Sequence, residues 1–87
     1  MTDERRRERL RFRSWHRGTR EMDLLLGSFA DRHLPAFSPE QLDAYEAILQ
    51  QTDPDLYDWI TGKSALPTER DGEVMRMLVE HRYARSG

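Results

Sequence analysis

The sequence contains no cysteine. Disulfide bonds, thiolate metal sites and cysteine nucleophiles are therefore excluded, and an intracellular setting is the simpler expectation. No apolar run approaches the roughly 20 residues that a membrane-spanning helix needs. The first residues lack both the apolar core of a signal peptide and the acid-poor composition of a transit peptide. These absences predict a cytoplasmic protein that does not insert into a membrane.

Arrangements that support catalysis or metal binding are also scarce. The three histidines lie on three different predicted helices with no ligand spacing between them: His16, His33 and His81. The five glycines are scattered, so no phosphate-binding loop is present, and no nucleophile motif occurs. Asp53, Asp55 and Asp58 lack the continuation of a calcium loop and are better explained as helix-start acids. The sequence therefore predicts no metal, no resident cofactor and no enzyme activity.

With 87 residues, the chain is one small domain whose core leaves no room for a deep active site, so a surface function is expected. The net charge of −2 conceals an asymmetry, because residues 1–20 carry eight arginines against three acids and the remainder carries −7. A basic arm can bind nucleic acid, but the acidic remainder would repel phosphate. We favour protein binding and keep a nucleic-acid-associated or antitoxin-like module, using the arginines of residues 5–13, as the alternative.

The apolar pattern predicts five helices. Residues 3–16 form an arginine-rich first helix that is held weakly, with Leu10, Phe12 and Trp15 as its apolar positions. The second helix is capped by Thr19 and ends before Pro35. Its apolar positions follow the period of an amphipathic helix, and Gly27 is a tolerated weakness among them: Met22, Leu25, Leu26, Phe29 and Ala30.

The other three helices have recognisable starts. Ser38 with Gln41 forms a capping box, and the helix that follows buries Leu42, Tyr45, Ile48 and Leu49. Asp53 is predicted as the cap of a short fourth helix that Gly62 terminates, with an apolar stripe at Leu56, Trp59 and Ile60. Thr68 is predicted to cap a last helix with Val74, Met75, Leu78 and Val79, which frays over residues 84–87. No β-type alternation is present, so we predict one all-α domain over residues 1–87, a compact five-helix bundle.

The link between the first two helices concentrates charge around a glycine. Arg17 and Glu21 are four residues apart, Arg20 lies between them, and on a helix this spacing would share one face. Gly18 indicates either a bend between helices or a close approach of another backbone. The plain alternative is a solvated turn, since exposed ion pairs of this kind contribute only roughly 0.3–0.5 kcal/mol.

Several motifs in this order resemble the succinate dehydrogenase assembly factors. The family signature Arg-Gly-x-x-Glu stands here at residues 17–21, and it is followed by the segments 24–30, 42–49, 53–59 and 73–75. The resemblance implies a small helical chaperone that binds the flavoprotein subunit of succinate dehydrogenase, or of fumarate reductase, and promotes covalent attachment of FAD to a histidine of that partner.

The resemblance also implies where the contact lies and what the chain does not carry. The implied partner-binding residues are grouped around the signature: His16, Arg17, Gly18, Arg20, Glu21 and Asp23. Bacterial members of the family tend to have a second arginine where this chain has His16. No catalytic residue or cofactor of its own is implied, since the FAD belongs to the partner, and a monomer is expected.

Overall fold

The computed structural model describes the backbone of residues 3–86 and the side chains of residues 3–82. Two 3₁₀ turns, Leu34–Ala36 and Thr68–Arg70, interrupt the connections between five α-helices. The helices are α1 (Asp3–Trp15), α2 (Arg20–His33), α3 (Pro39–Leu49), α4 (Asp53–Thr61) and α5 (Glu73–Ser86). No strand occurs among these residues, so the predicted all-α bundle is confirmed.

Two predicted helix starts and one predicted end are confirmed. The hydroxyl of Thr19 accepts a hydrogen bond from the backbone N–H of Met22, which caps α2. Ser38 and Gln41 exchange both bonds of a capping box, at 3.2 Å and 2.8 Å. Gly62 ends α4 with φ of 80°, in the left-handed region that favours glycine.

The caps of the last two helices differ from the prediction. Thr52, not Asp53, caps α4, because its hydroxyl accepts from the N–H of Asp55 while Asp53 is already helical. Thr68 opens a 3₁₀ turn instead of capping α5, which begins only at Glu73. The backbone of α5 is helical through Ser86. Fraying was predicted for residues 84–87. The side chains of these residues, and the whole of Gly87, lie outside the part that the structure describes.

The core is formed by the apolar positions that helical periodicity had selected on α2 to α5. All of those on α2 and α3 are buried, as are Leu56, Ile60, Val74, Met75 and Leu78. Trp59 and Val79 are partly buried against the same core. Burial of apolar area at this scale is the main favourable contribution to folding of a small domain.

The first helix is held firmly, contrary to the prediction. Leu10 and Ser14 are fully buried. Arg7 donates hydrogen bonds to the backbone carbonyls of Leu34 and Phe37, at 2.8 Å and 2.6 Å. The preceding residue, Arg6, pairs with two acids of α3, Asp43 and Glu46. The sequence pattern missed this because the anchors of α1 are mostly arginine side chains, which a search for apolar periodicity ignores.

A buried polar pair joins α1 to α3. The hydroxyl of Ser14 donates to the carbonyl of Leu10 at 2.8 Å, which leaves it to accept from the hydroxyl of Tyr45 at 2.6 Å. Burial raises the pKa of Tyr45, so its hydroxyl keeps the proton that it donates. The carbonyl of Leu26 on α2 lies 3.3 Å from the same hydroxyl. Three helices therefore meet at this pair.

Gly27 is a packing position and not a tolerated weakness. It is buried in α2, and a Cβ at this position would overlap the six-membered ring of the Trp15 indole. Trp15 is half-buried, and its indole N–H donates to Asp31 at 3.3 Å. The absence of a side chain at Gly27 thus provides the space in which Trp15 fastens the end of α1 to α2.

We expect Gly27→Ala to destabilise the protein. Displacing the indole should cost roughly 1–3 kcal/mol, against a gain in helix propensity of roughly 1 kcal/mol. Chemical denaturation of the single and double variants measures the balance. On a Trp15→Ala background the overlap is gone, so Gly27→Ala should become neutral or stabilising. Equal effects of Gly27→Ala on both backgrounds would contradict the packing role.

Candidate functional site

Residues 16–19 form the sharp link between α1 and α2, so of the two readings of Gly18 the bend is confirmed. Gly18 has φ of 112°, a backbone conformation that L side chains rarely adopt. The residue is exposed, and a Cβ built on it would meet no atom within 4 Å. The link therefore presents bare backbone to the surroundings.

Arg17 connects this link to the junction of α3 and α4. Its guanidinium donates to the carbonyl of Leu49 at 2.6 Å, to the carbonyl of Gln51 at 2.7 Å and to the carboxylate of Asp53 at 2.8 Å. The side chain of Arg17 is only 13 % exposed. The guanidinium thus supplies donors where the carbonyls at the end of α3 need them and pairs with an acid at the start of α4.

The expectation that Arg17 and Glu21 share a helix face is wrong. Arg17 precedes Thr19, the cap of α2, and its side chain is directed towards the junction of α3 and α4. The guanidinium N–H groups of Arg17, which from the sequence could have bonded to a partner, bond within the molecule. Their acceptors lie more than thirty residues along the chain, and no local sequence pattern reports such a contact.

Asp23 also serves the link. Its carboxylate accepts a hydrogen bond from the backbone N–H of Arg17 at 2.6 Å. Asp23 lies in the first turn of α2, where a negative charge interacts favourably with the helix dipole. Arg17 is consequently fixed at both its backbone and its guanidinium, and Gly18 follows directly after it.

Arg20 and Glu21 face outward in the first turn of α2. Both side chains are exposed. Within the described part of the chain, neither side chain makes a hydrogen bond or an ion pair. They are the two charged members of the signature segment that the fold leaves available, and they follow immediately after the bare backbone of Gly18.

His16 is the first residue of the link and directly follows α1. Its ring stacks on that of Phe12, with centroids 4.0 Å apart and planes 18° from parallel. Its Nδ1 lies 2.7 Å from the carbonyl of Phe12, so this nitrogen carries the proton and donates. The predicted site residues thus fall into two groups. Arg17 and Asp23 are bonded within the chain, and the others are exposed: His16, Gly18, Arg20 and Glu21.

A shallow depression lies between the end of α1 and the start of α2, and Glu21 is not among the residues that line it. It is bordered by Trp15, His16, Gly18, Thr19, Arg20, Asp23 and Leu24. Such an open depression suits contact with another macromolecule better than enclosure of a small molecule. No group of three or more metal-ligating side chains occurs in the part of the chain that the structure describes. Over that same part, none of the helices is long and apolar enough to cross a membrane.

A family model described as "Flavinator of succinate dehydrogenase" matches residues 8–82. Over 82 residues the chain is 42 % identical to "FAD assembly factor SdhE" of Acetobacter pasteurianus, covering 94 % of this chain and 75 % of that protein. Over 78 residues it is 41 % identical to "Succinate dehydrogenase assembly factor 2, mitochondrial" of Dictyostelium discoideum, covering 90 % of this chain and 55 % of that protein.

A similar match is found in an insect. The chain is 42 % identical over 80 residues to "Succinate dehydrogenase assembly factor 2-A, mitochondrial" of Drosophila yakuba, covering 90 % of this chain and 49 % of that protein. The chain thus spans about half the length of these two mitochondrial relatives. The family match includes the whole link between α1 and α2 and most of the bundle that supports it. The chain therefore belongs to the family described as the flavinator of succinate dehydrogenase.

Proposed function

We propose that this protein is an assembly chaperone that binds the flavoprotein subunit of succinate dehydrogenase before its FAD is attached. Binding promotes the covalent attachment, whose chemistry belongs largely to the flavoprotein. The chain itself supplies no catalytic group and holds no flavin as a resident cofactor. It acts as a monomer in the cytoplasm, a setting suggested by the bacterial relative.

The observation that carries this proposal is the family match over residues 8–82. The relatives named above are described as assembly factors for FAD or for succinate dehydrogenase. Exposure of the signature segment supports the start of α2 as the proposed place of contact. Gly18, Arg20 and His16 line one depression, and the exposed Glu21 follows directly after Arg20 in the first turn of α2.

The residues of the signature have different tasks in this proposal. Gly18, Arg20 and Glu21 touch the partner, because they are exposed and the charged side chains have no internal role in the described structure. Arg17 and Asp23 position the link, because their polar atoms are bonded within the chain. Without that support, the exposed backbone would have to be ordered at the moment of binding, which lowers affinity.

Such a chaperone needs no chemistry of its own. A protein that binds one conformation of its partner more tightly than another shifts the population towards the first. To move a two-state equilibrium from 1:99 to 99:1, the preference must be about 10⁴-fold. In this proposal the favoured conformation of the flavoprotein is the one in which its own residues attach the FAD.

Glu21→Ala tests the proposal. In cells that lack the natural factor and express this chain, covalent flavin on the flavoprotein subunit should fall at least severalfold, because a partner cation loses its carboxylate. Flavin fluorescence of the subunit after denaturing electrophoresis gives the readout. Expression of the unaltered chain must first restore flavin attachment in the same cells.

Glu40→Ala is the matched control. Glu40 occupies the same position in the first turn of α3 as Glu21 does in α2, and it too is exposed. The two substitutions remove the same charge from equivalent helix starts, so they should change stability alike. Equal flavin attachment with Glu21→Ala and Glu40→Ala would remove Glu21 from the contact surface. Failure of the unaltered chain to restore attachment would overturn the proposed function itself.

A further inference from the structure

The outward side of α1 carries a basic and aromatic pattern that continues to His16, the first residue of the link. Its members recur at helical spacing, so they share one side of the helix: Arg5, Arg9, Phe12, Arg13 and His16. We call this set the basic-aromatic face. The opposite side of α1 carries the residues that anchor the helix, among them Arg6, Arg7, Leu10 and Ser14.

Phe12 is the unusual member of this face. It is 63 % exposed and, with Leu24 at 38 %, one of two large hydrophobic side chains on the surface of the described residues. A single exposed apolar side chain needs no explanation by itself. Phe12, however, is kept in place by the ring of His16, whose Nδ1 is bonded to the carbonyl of Phe12. An aromatic ring that is already ordered loses little entropy on binding, which is the property of an interface anchor.

Both exposed hydrophobic side chains, Phe12 and Leu24, lie beside the candidate site. Leu24 lines the depression at Gly18 directly. Phe12 stacks on His16, which lines the same depression. Exposed apolar area therefore borders both sides of the surface already proposed to meet the flavoprotein, and the basic-aromatic face continues it along α1.

The charge of the face indicates what it would meet. Phe12 borders a shallow depression together with Arg13, His16 and Arg17. One turn earlier on α1 lie Arg9 and the acid Glu8, so positive charge predominates around the ring. Carboxylates on a partner would complement the arginines, and an apolar pocket between them would receive the ring. This chemistry differs from that at Gly18, where the partner must accommodate backbone and both signs of charge.

We propose that the basic-aromatic face is a second part of the flavoprotein interface, in which Phe12 enters an apolar pocket bordered by carboxylates. The proposal rests on the proposed function, and it assigns the residues that determine affinity beyond the signature segment. Phe12 acts as the anchor, His16 fixes the orientation of its ring, and Arg9 and Arg13 guide the approach of the acidic surface.

The test is binding of the purified protein to the purified, flavin-free flavoprotein subunit, measured by surface kinetics at several salt concentrations. Phe12→Ala should raise Kd at least tenfold, mainly through faster dissociation. His16→Phe retains a stacked ring and should bind more tightly than His16→Ala. The pair Arg9→Gln and Arg13→Gln should slow association and reduce its salt dependence.

Two controls separate binding from folding. Because Phe12 is exposed, thermal unfolding of Phe12→Ala should match that of the unaltered protein, and Kd is compared only if it does. Arg70→Gln removes an exposed arginine from the distant 3₁₀ turn before α5 and should leave the association rate unchanged. An equal loss of association rate with Arg70→Gln would reduce the arginine effect to net charge and overturn the assignment of Arg9 and Arg13.

The outcomes distinguish this inference from the proposed function. If Gly18→Arg prevents binding while Phe12→Ala binds like the unaltered protein, the site at Gly18 stands and the basic-aromatic face is not part of it. If the unaltered protein does not bind the flavoprotein at all, the proposed function fails as well. Retention on single-stranded RNA that Phe12→Ala abolishes, with flavoprotein binding unchanged, would assign the face to nucleic acid and overturn the inference.

Discussion

Gly18→Arg is expected to reduce covalent flavin on the flavoprotein subunit to the level of cells that lack the factor. At this exposed position of the link, a long charged side chain would hold the backbones of the two proteins apart. In the proposed contact, Arg20 and Glu21 would lose their interactions with the partner at the same time, because they follow Gly18 within three residues and are exposed. Flavin fluorescence of the subunit measures this loss directly.

The same substitution also has a cost in stability, which the experiment must separate. Gly18 lies outside both helices, so helix propensity offers no compensation, and its φ of 112° is strained for any other residue. We expect a cost of roughly 1–3 kcal/mol from the backbone alone. Gly18→Ala should carry this cost without the bulk of arginine, and it should retain part of the activity.

Gly62→Ala supplies a second control. Gly62 also has positive φ, at 80°, and a Cβ there meets no atom within 4 Å, but it ends α4 at a distance along the chain from the link. Its backbone strain should resemble that of Gly18→Ala, while flavin attachment should stay normal. If folded Gly18→Arg protein, judged by circular dichroism, supported full flavin attachment, Gly18 would not belong to the contact surface and α1 would be the next candidate.

Arg17→Met is expected to have the largest effect on stability among the charged residues of the site. Methionine retains length and apolar volume but cannot donate the three hydrogen bonds to Leu49, Gln51 and Asp53. We expect a loss of roughly 2–4 kcal/mol, because a largely buried carboxylate and two carbonyls lose a charged donor. In a domain of this size the loss should lower Tm by at least about 10 °C.

Arg76→Met is the matched control for Arg17→Met. Arg76 also pairs with an aspartate, to which it donates two hydrogen bonds (Asp71), but its side chain is 70 % exposed, whereas that of Arg17 is 13 % exposed. Exposed pairs contribute roughly 0–1 kcal/mol, so Arg76→Met should change Tm little. Arg17→Lys, which retains charge without the planar fork, should fall between the two. Equal effects of Arg17→Met and Arg76→Met would show that Arg17 does not support the link.

Most of the fold could be predicted from the sequence because its determinants are local. The period of the apolar residues placed the core of α2 and α3, and the capping box at Ser38 follows from side chains three residues apart. The bend at Gly18 was one of two alternatives, because a glycine in the sequence indicates only that a positive φ or a close backbone approach is permitted there. At α4, Thr52 and Asp53 are both good caps, and the spacing to Pro54 favoured the wrong one.

The internal role of the arginines could not be predicted in the same way. Arg6, Arg7 and Arg17 find their acceptors on other elements, 27 to 40 residues away along the chain. Composition presents these residues as charge available to a partner, yet the fold uses their guanidinium groups to hold helix ends and links. The candidate site stays a prediction from the sequence, while the separation of its internally bonded residues from its exposed ones required the structure.

The hydroxyl pair of Ser14 and Tyr45 has a consequence for the register of α1. Leu10 alone would tolerate a rotation or a one-turn slide of this helix, because apolar contacts have little directional preference. Either movement would break the 2.6 Å hydrogen bond to Ser14 and leave the Tyr45 hydroxyl only the longer contact of 3.3 Å with the Leu26 carbonyl, which weakens a buried hydrogen bond. The pair thus favours one rotational setting of α1 among those that burial would accept, and in that setting the ring of Phe12 is exposed.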